Sequence, residues 1–159
     1  MTSQIEDRLT FDMTTSQERE SYLESQLIAF NQTHVEMWEE NHNSTYAAMP
    51  IHIFALDAQG QLVGGLTGRT HSIREWLEVS MVWVNETYRH RGIGRVLMAR
   101  AEEEARQRGC RYARLATSYF QAPGFYEKLG YSVYGILEDC PPGDRCFYFR
   151  KDLLSPEAK

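Results

Sequence analysis

The stretch that most restricts how this chain can fold runs from residue 75 to residue 117. It opens on the apolar run EWLEVSMVWV (75–84), turns through NETYRHRGIG, continues as an amphipathic segment to Arg108, and becomes apolar again over 111–117. Strand, turn, helix and strand make a βαβ unit, whose right-handed crossover leaves the two strands parallel and adjacent. Within the helix Ile93, Val96, Leu97, Ala101 and Ala105 keep helical spacing, while Arg95, Glu102, Glu103, Arg106 and Gln107 are expected to face water. Gly109 stands where a capping glycine ends a helix.

The flanking segments extend this unit into a layered α/β domain. A first helix is expected over 16–30, where Thr15 and Glu18 fit a capping box and Tyr22, Leu23, Gln26, Leu27 and Phe30 share one mostly apolar face. Residues 31–50 read as a loop holding Val35, Met37, Trp38, Tyr46 and Met49, either a substrate-facing segment or a surface loop packed down by its aromatics. Residues 51–57 and 62–70 read as strands joined by a turn at Ala58-Gln59-Gly60-Gln61. APGFYEKLGY gives a short helix ended by Gly130, and residues 131–137 and 146–153 give the closing strands. No repeat, linker or low-complexity stretch interrupts the 159 residues, so one domain over 1–159 is expected. With 42% hydrophobic and 25% charged residues such a chain can bury a core without staples.

Against a net charge of -5, the turn places three arginines and two glycines in the seven residues Arg89-His90-Arg91-Gly92-Ile93-Gly94-Arg95. A helix N-terminus offers unpaired N–H groups and the positive end of its dipole. Glycines let backbone turn tightly and approach a ligand, and successive N–H groups form an anion-binding nest. A pyrophosphate site follows. It is not a P-loop, because no Gly-Lys pair exists, and it is not a dinucleotide fingerprint, because Leu97 stands where the third glycine belongs.

Arg89-x-x-Gly92-x-Gly94, after an apolar strand and opening a helix, resembles the pyrophosphate motif of the GNAT superfamily of acetyl-coenzyme-A-dependent N-acyltransferases. QAPGFYEKLGY, about 30 residues on, resembles that family's second signature. Asn85-Glu86-Thr87 departs from the proline found in many relatives. The resemblance covers residues 62 to about 152. It implies a three-layer fold with a mixed, mostly antiparallel sheet of six to seven strands, a V-shaped splay between two central parallel strands, and flanking helices. It implies acetyl-CoA as cosubstrate, held by main-chain amides from Arg91 to Arg95 within the cofactor-binding set Arg89, His90, Arg91, Gly92, Ile93, Gly94 and Arg95. Backbone of Val82, Trp83 and Val84 would pair with the pantetheine arm in the splay, and Ala122 and Phe125 would complete the cofactor site.

The implied reaction is acetyl transfer to a primary amine of a small molecule or peptide by direct attack in a ternary complex; a non-catalytic coenzyme A sensor or interaction module is the alternative. Tyr126 matches the family's general-acid tyrosine, which would serve the leaving thiolate; a core tyrosine is its other reading. Glu78 stands alone as a carboxylate in WLEVSMVWV, eleven positions before Arg89, where a subset of the family keeps its base. Burial would raise its pKa toward working pH. Period two puts Ser80 and Val82 on its face. An ion pair with Arg69 or Arg74 is its other reading, and a water chain is the other candidate base.

His34, His42, His52 and His71 lack metal-ligand spacing, so no metal is expected. His52 or His71 could line an acceptor pocket or serve structure alone. Cys110 is expected buried, and Cys140 lies in the turn-rich EDCPPGDRC. Glu138, Asp139 and Asp144 are candidate attractors of an amine or plain solvated acids, and Glu86 and the 102–104 acids are expected solvated. The acidic balance argues against a nucleic-acid partner, and no run reaches the ~20 apolar residues of a membrane helix. The absence of CxxC and of a leader-like apolar core gives a cytoplasmic expectation. The acceptor, the acyl chain beyond acetyl and the oligomeric state, for which the family admits a homodimer, carry no legible motif.

Overall fold

The computed structural model describes residues 11–33, 48–71 and 75–154. His34, Val35, Met37, Trp38, His42, Tyr46 and Arg74 lie outside them. The chain divides into two compact units, Met1–Ser44 and Thr45–Lys159.

The described part of the first unit is helix α1, Gln17–Gln32. Its cap is Ser16, not Thr15: Ser16 is extended (φ -145°), and its hydroxyl accepts from the Arg19 amide at 3.3 Å. The cap therefore sits one residue later than the Thr15/Glu18 pattern suggested, because the side chain must reach the third amide of the helix that actually forms.

The second unit runs β1 (Met49–Leu56), β2 (Leu62–His71), β3 (Trp76–Val84), α2 (Ile93–Gln107), β4 (Tyr112–Ser118), α3 (Pro123–Glu127), β5 (Ser132–Glu138) and β6 (Arg145–Asp152). The six strands form one sheet in the order β1-β2-β3-β4-β6-β5. Among the described strands only β3 and β4 are parallel; every other pair is antiparallel. This α/β arrangement of a mixed six-stranded sheet with flanking helices is the expected fold class.

Helix α2 lies against β1, β2 and β3. Leu97, Met98, Ala101 and Ala105 meet Leu66, Leu77, Val79, Ala113, Leu115 and Phe149 in one buried core, which Tyr126 and Tyr131 join from the α3 segment. Two positions on α2 differ from the expected face. Val96 is exposed, and Glu102 is buried at 4% exposure. A buried carboxylate needs partners. Glu102 accepts from the Tyr131 hydroxyl at 3.0 Å and from Lys151 Nζ at 2.7 Å, with Arg106 at 3.7 Å. It thereby fastens α2 to the end of the α3 segment and to β6.

The feature that positions the site lies in mid-β3. Thr67 pairs with Met81 and Gly68 with Val79, so Ser80 is an extra residue with no partner on β2. Such a bulge bends the strand and increases its twist. The approach is tight here: a Cβ on Gly68 would stand 2.5 Å from the Glu78 carbonyl oxygen, so only glycine fits. The bulge also reverses the side-chain alternation. Leu77 and Val79 face the core before it, and Val82 and Val84 face the core after it, with Met81 and Trp83 exposed. Val82 is thus not on the Glu78 face, contrary to strict period two.

Candidate active site

The parallel ladder between β3 and β4 runs from Trp76↔Tyr112 to Val79↔Leu115 and stops. β3 continues to Val84 on β2 alone, and β4 continues to Ser118 on β6 alone. The two central strands part at the Ser80 bulge, which supplies the divergence. Buried backbone groups ordinarily find partners. Among the described residues no strand lies between the facing edges beyond Val79 and Leu115, so an extended ligand can pair there.

β3 leads into the turn at the mouth of this opening. The Asn85 amide donates to the Val63 carbonyl oxygen at 2.9 Å, and the Asn85 side chain accepts from the Thr87 amide at 3.0 Å, capping one short 3-10 turn, Glu86–Tyr88. Asparagine thus fixes this turn by hydrogen bonding. The Arg89 guanidinium donates through Nε to the Val84 carbonyl oxygen at 3.1 Å and lies 3.7 Å from Glu86, and its amide donates to the Glu86 carbonyl oxygen. Arg89 therefore braces the turn. His90 and Gly92 are both left-handed, with φ of 62° and 81°. A left-handed histidine was not expected; together with Gly92 it turns the backbone sharply into α2.

Beyond that turn the amides of His90, Arg91, Gly92, Ile93, Gly94 and Arg95 have no acceptor among the described residues; the first α2 bond is Val96 to the Gly92 carbonyl oxygen at 3.1 Å. Six consecutive donors at a helix N-terminus are an arrangement that could hold an anion. The two glycines act differently. Gly92 supplies the positive φ, and the space where its Cβ would point is open. Gly94 supplies room, since a Cβ there would stand 3.1 Å from Phe125 Cζ. That contact brings the two sequence signatures together: α3 leans on the N-terminus of α2 through Phe125. Ala122, left-handed at φ 63°, starts α3, and Pro123 follows.

Tyr126 sits behind this contact at 9% exposure, its ring against Phe125 (5.0 Å), Phe149 (5.9 Å) and Tyr131 (6.2 Å). Burial pushes its phenol above the ordinary value. The Tyr126 hydroxyl has no hydrogen-bond partner among the described residues.

Glu78 occupies the sheet face opposite α2, two residues before the bulge. Its Oε1 accepts from Arg69 Nη2 at 3.0 Å and its Oε2 from Arg114 Nη2 at 2.7 Å, with His71 Nε2 at 3.7 Å. The Arg69 bond, with Arg114 beside it, holds the Glu78 carboxyl at a pKa of about 2 despite partial burial. The expectation that burial would raise it is overturned, because two guanidiniums outweigh desolvation. Arg114 was not singled out from sequence. Its only signal is its place on the polar side of the alternating run YARLATS. His71 lines the same face; His52 is exposed on β1 and stands beside Phe54.

Among the described residues no cluster of His, Cys, Asp or Glu could hold a metal ion, and no helix is long and apolar enough to cross a membrane. Cys110 is buried, Cys140 exposed and Cys146 half-buried, all unpaired. Asp139 accepts from the Gly143 amide at 2.7 Å within the β5–β6 loop.

Comparison with known proteins agrees with this geometry. A sequence model described as the Acetyltransferase (GNAT) family matches residues 11–131. A blasticidin-S acetyltransferase of Streptomyces morookaense is 40% identical over 110 residues, 67% of this chain and 79% of that protein. The crystal structure of an acetyltransferase from Bacillus cereus superposes with a TM-score of 0.73 at 28% identity, covering 90% of this chain and 97% of that one. A Bacillus anthracis protein solved in complex with acetyl coenzyme A shares the fold, with a TM-score of 0.59 at 22% identity over 72% of this chain and 66% of that one. A parallel pair that splays at a bulge, a helix that begins in unfilled amides, and a family match over most of the sequence converge: the chain belongs to the GNAT family of acetyltransferases and is an acyltransferase enzyme.

Proposed function

We propose that this chain, acting as a single catalytic domain in the cytoplasm, transfers the acetyl group of acetyl-CoA to an amine of a small molecule or peptide. The observation that carries this reading is the row of unfilled amides at residues 90–95, set where β3 and β4 part. The diphosphate would sit on those amides, each charge-assisted bond contributing roughly 1.5–3 kcal/mol. Gly92, Ile93, Gly94 and the flanking His90, Arg91 and Arg95 form the cup, and Arg89 positions it. The pantetheine arm would lie against Val82, Trp83 and Val84, with Ala122 and Phe125 bounding the other side.

In the reaction the amine nitrogen attacks the thioester carbonyl carbon, the C–N bond forms, and the C–S bond breaks. Holding both reactants in one ternary complex supplies much of the acceleration. Tyr126 donates a hydrogen bond to the departing sulfur; its raised pKa makes it a donor rather than a source of a full proton. The ammonium must lose a proton first, at a cost of about 4.6 kcal/mol at pH 7. A carboxyl with a pKa of about 2 is a poor direct acceptor, uphill by about 11 kcal/mol from an ammonium. Release to bulk solvent at pH 7 is the cheaper route, so the ammonium gives up its proton to solvent before attack. The second nitrogen proton leaves through water as the amide forms, the departing thiolate takes a proton from solvent, and Glu78 orients the amine or that water.

The test is release of free thiol from acetyl-CoA across a panel of amines headed by blasticidin S, for which the Streptomyces relative is named. Acceptor-dependent thiol release, with an acetylated product of matching mass, is the expected result. Tight coenzyme A binding without transfer to any amine would replace the enzyme reading with that of a binding module.

A further inference from the structure

The sheet face opposite α2 carries a row of charge of which the acetyl-transfer reading uses only Glu78. Strand pairing sets Arg69 opposite Glu78, Glu78 opposite Arg114, and Arg114 opposite Arg150. Residues directly paired on neighbouring strands point to the same face, with Cβ atoms about 5 Å apart. The row reads plus, minus, plus, plus across β2, β3, β4 and β6. Its one carboxylate is divided between Arg69 and Arg114. Arg150 has no acidic partner among the described residues, and Asp152, two residues further along β6, reaches Arg111 at 3.6 Å. Like charges placed directly opposite each other destabilise a sheet. Arg114 and Arg150 are in that position, in a protein whose net charge is -5.

These two guanidiniums line a cavity of about 600 Å³ with His71, Trp76 and Tyr134. Trp76 stacks on Tyr112 at 4.9 Å on one side of the arginine row, and Tyr134 meets Tyr148 at 6.1 Å on the other. The row above the arginines contains Ala116 on β4 and the Ser80 bulge on β3, where the opening between the strands begins. Two residues along a strand span about 7 Å. A molecule whose anionic group lies on Arg114 and Arg150 can thus extend past the small Ala116 side chain toward the opening.

We infer that Arg114 and Arg150 form an anion subsite for the acceptor, which is an amine that also carries a carboxylate, its apolar or aromatic part lying between Trp76 and Tyr134. This rests on the acetyl-transfer reading for its place in the reaction, but the subsite itself can be tested apart from turnover. Arginine pairs are suited to planar carboxylates, which they bind through parallel N–H donors.

Titration calorimetry of the full chain loaded with coenzyme A, using benzoate and benzamide as probes, tests the subsite. Benzoate is expected to bind at least 10-fold more tightly than benzamide, and Arg150→Gln is expected to abolish that difference while Arg150→Lys keeps part of it. The melting temperature of Arg150→Gln is expected to equal or exceed that of the wild type, since a like-charge opposition is removed. Equal affinity for the two probes, unchanged benzoate binding in Arg150→Gln, or a lowered melting temperature would each overturn the subsite; the last would mean that an acid of the protein already holds Arg150.

A second arm compares kcat/KM for amino acids with their own carboxamides, such as β-alanine with β-alaninamide and phenylalanine with phenylalaninamide. The acids are expected to be favoured at least 10-fold. Selective benzoate binding without that preference would show an anion site that does not serve the acceptor, and would overturn the inference alone. Absence of transfer to any amine, with benzoate binding intact, would instead remove the acetyl-transfer reading.

Discussion

Gly92→Val is expected to raise the KM for acetyl-CoA by 100-fold or more while leaving the chain folded. Residue 92 holds φ at 81°, where a β-branched side chain is strained, and nothing lies within 4 Å of the Cβ position to clash with it. The strain, roughly 1–2 kcal/mol, falls on an exposed turn and can be relieved by swinging the backbone out of the left-handed region. Relief scatters the amides of residues 90–95, and losing two such bonds at about 1.5–3 kcal/mol each is enough for the stated change. Initial-rate kinetics with varied acetyl-CoA, alongside thermal melts, checks this. Gly94→Val is the contrast. Its Cβ meets the Phe125 ring at 3.1 Å, so it should lower the melting temperature and dislodge α3. Normal acetyl-CoA kinetics in Gly92→Val would mean that the turn does not bind the cofactor.

Tyr126→Phe is expected to lower kcat by about 10- to 100-fold with the KM for acetyl-CoA held within about twofold. The ring packs among Phe125, Phe149 and Tyr131, and phenylalanine preserves those contacts. The lost hydroxyl has no partner among the described residues, so its removal should cost the fold little. Because burial raises the phenol pKa, the hydroxyl stays protonated through the alkaline range, and the rate should not fall there through loss of this donor. Steady-state rates over a pH series measure both. An unchanged kcat would return Tyr126 to a purely structural role.

These expectations were unequally legible in the sequence. The βαβ unit was visible because strand and helix periodicities are local, and the splay was visible only through family resemblance. Its cause was not. The Ser80 bulge has no side-chain signature, and it inverted the faces of Val82 and Val84 against simple alternation. Glu102 was misread for a similar reason: on α2 it looks like its exposed neighbours, but the groups that allow its burial, Tyr131 and Lys151, lie 29 and 49 residues away. For Glu78 the ion-pair reading anticipated Arg69, while Arg114 arrives from a strand 36 residues on and could be found only from the register. Sequence alone pointed to the arginine-glycine turn as the candidate cup; the roles of its glycines, one for backbone sign and one for room, required the fold.

The central claim is that the main chain between Val84 and Val96 binds a diphosphate beside parted strands. A structure determined with coenzyme A tests it most directly. The account predicts diphosphate oxygens within hydrogen-bond distance of amides in residues 90–95, with the pantetheine chain paired along β3 beyond Val79. Coenzyme A bound elsewhere, with those amides turned onto acceptors of the protein itself, would contradict it.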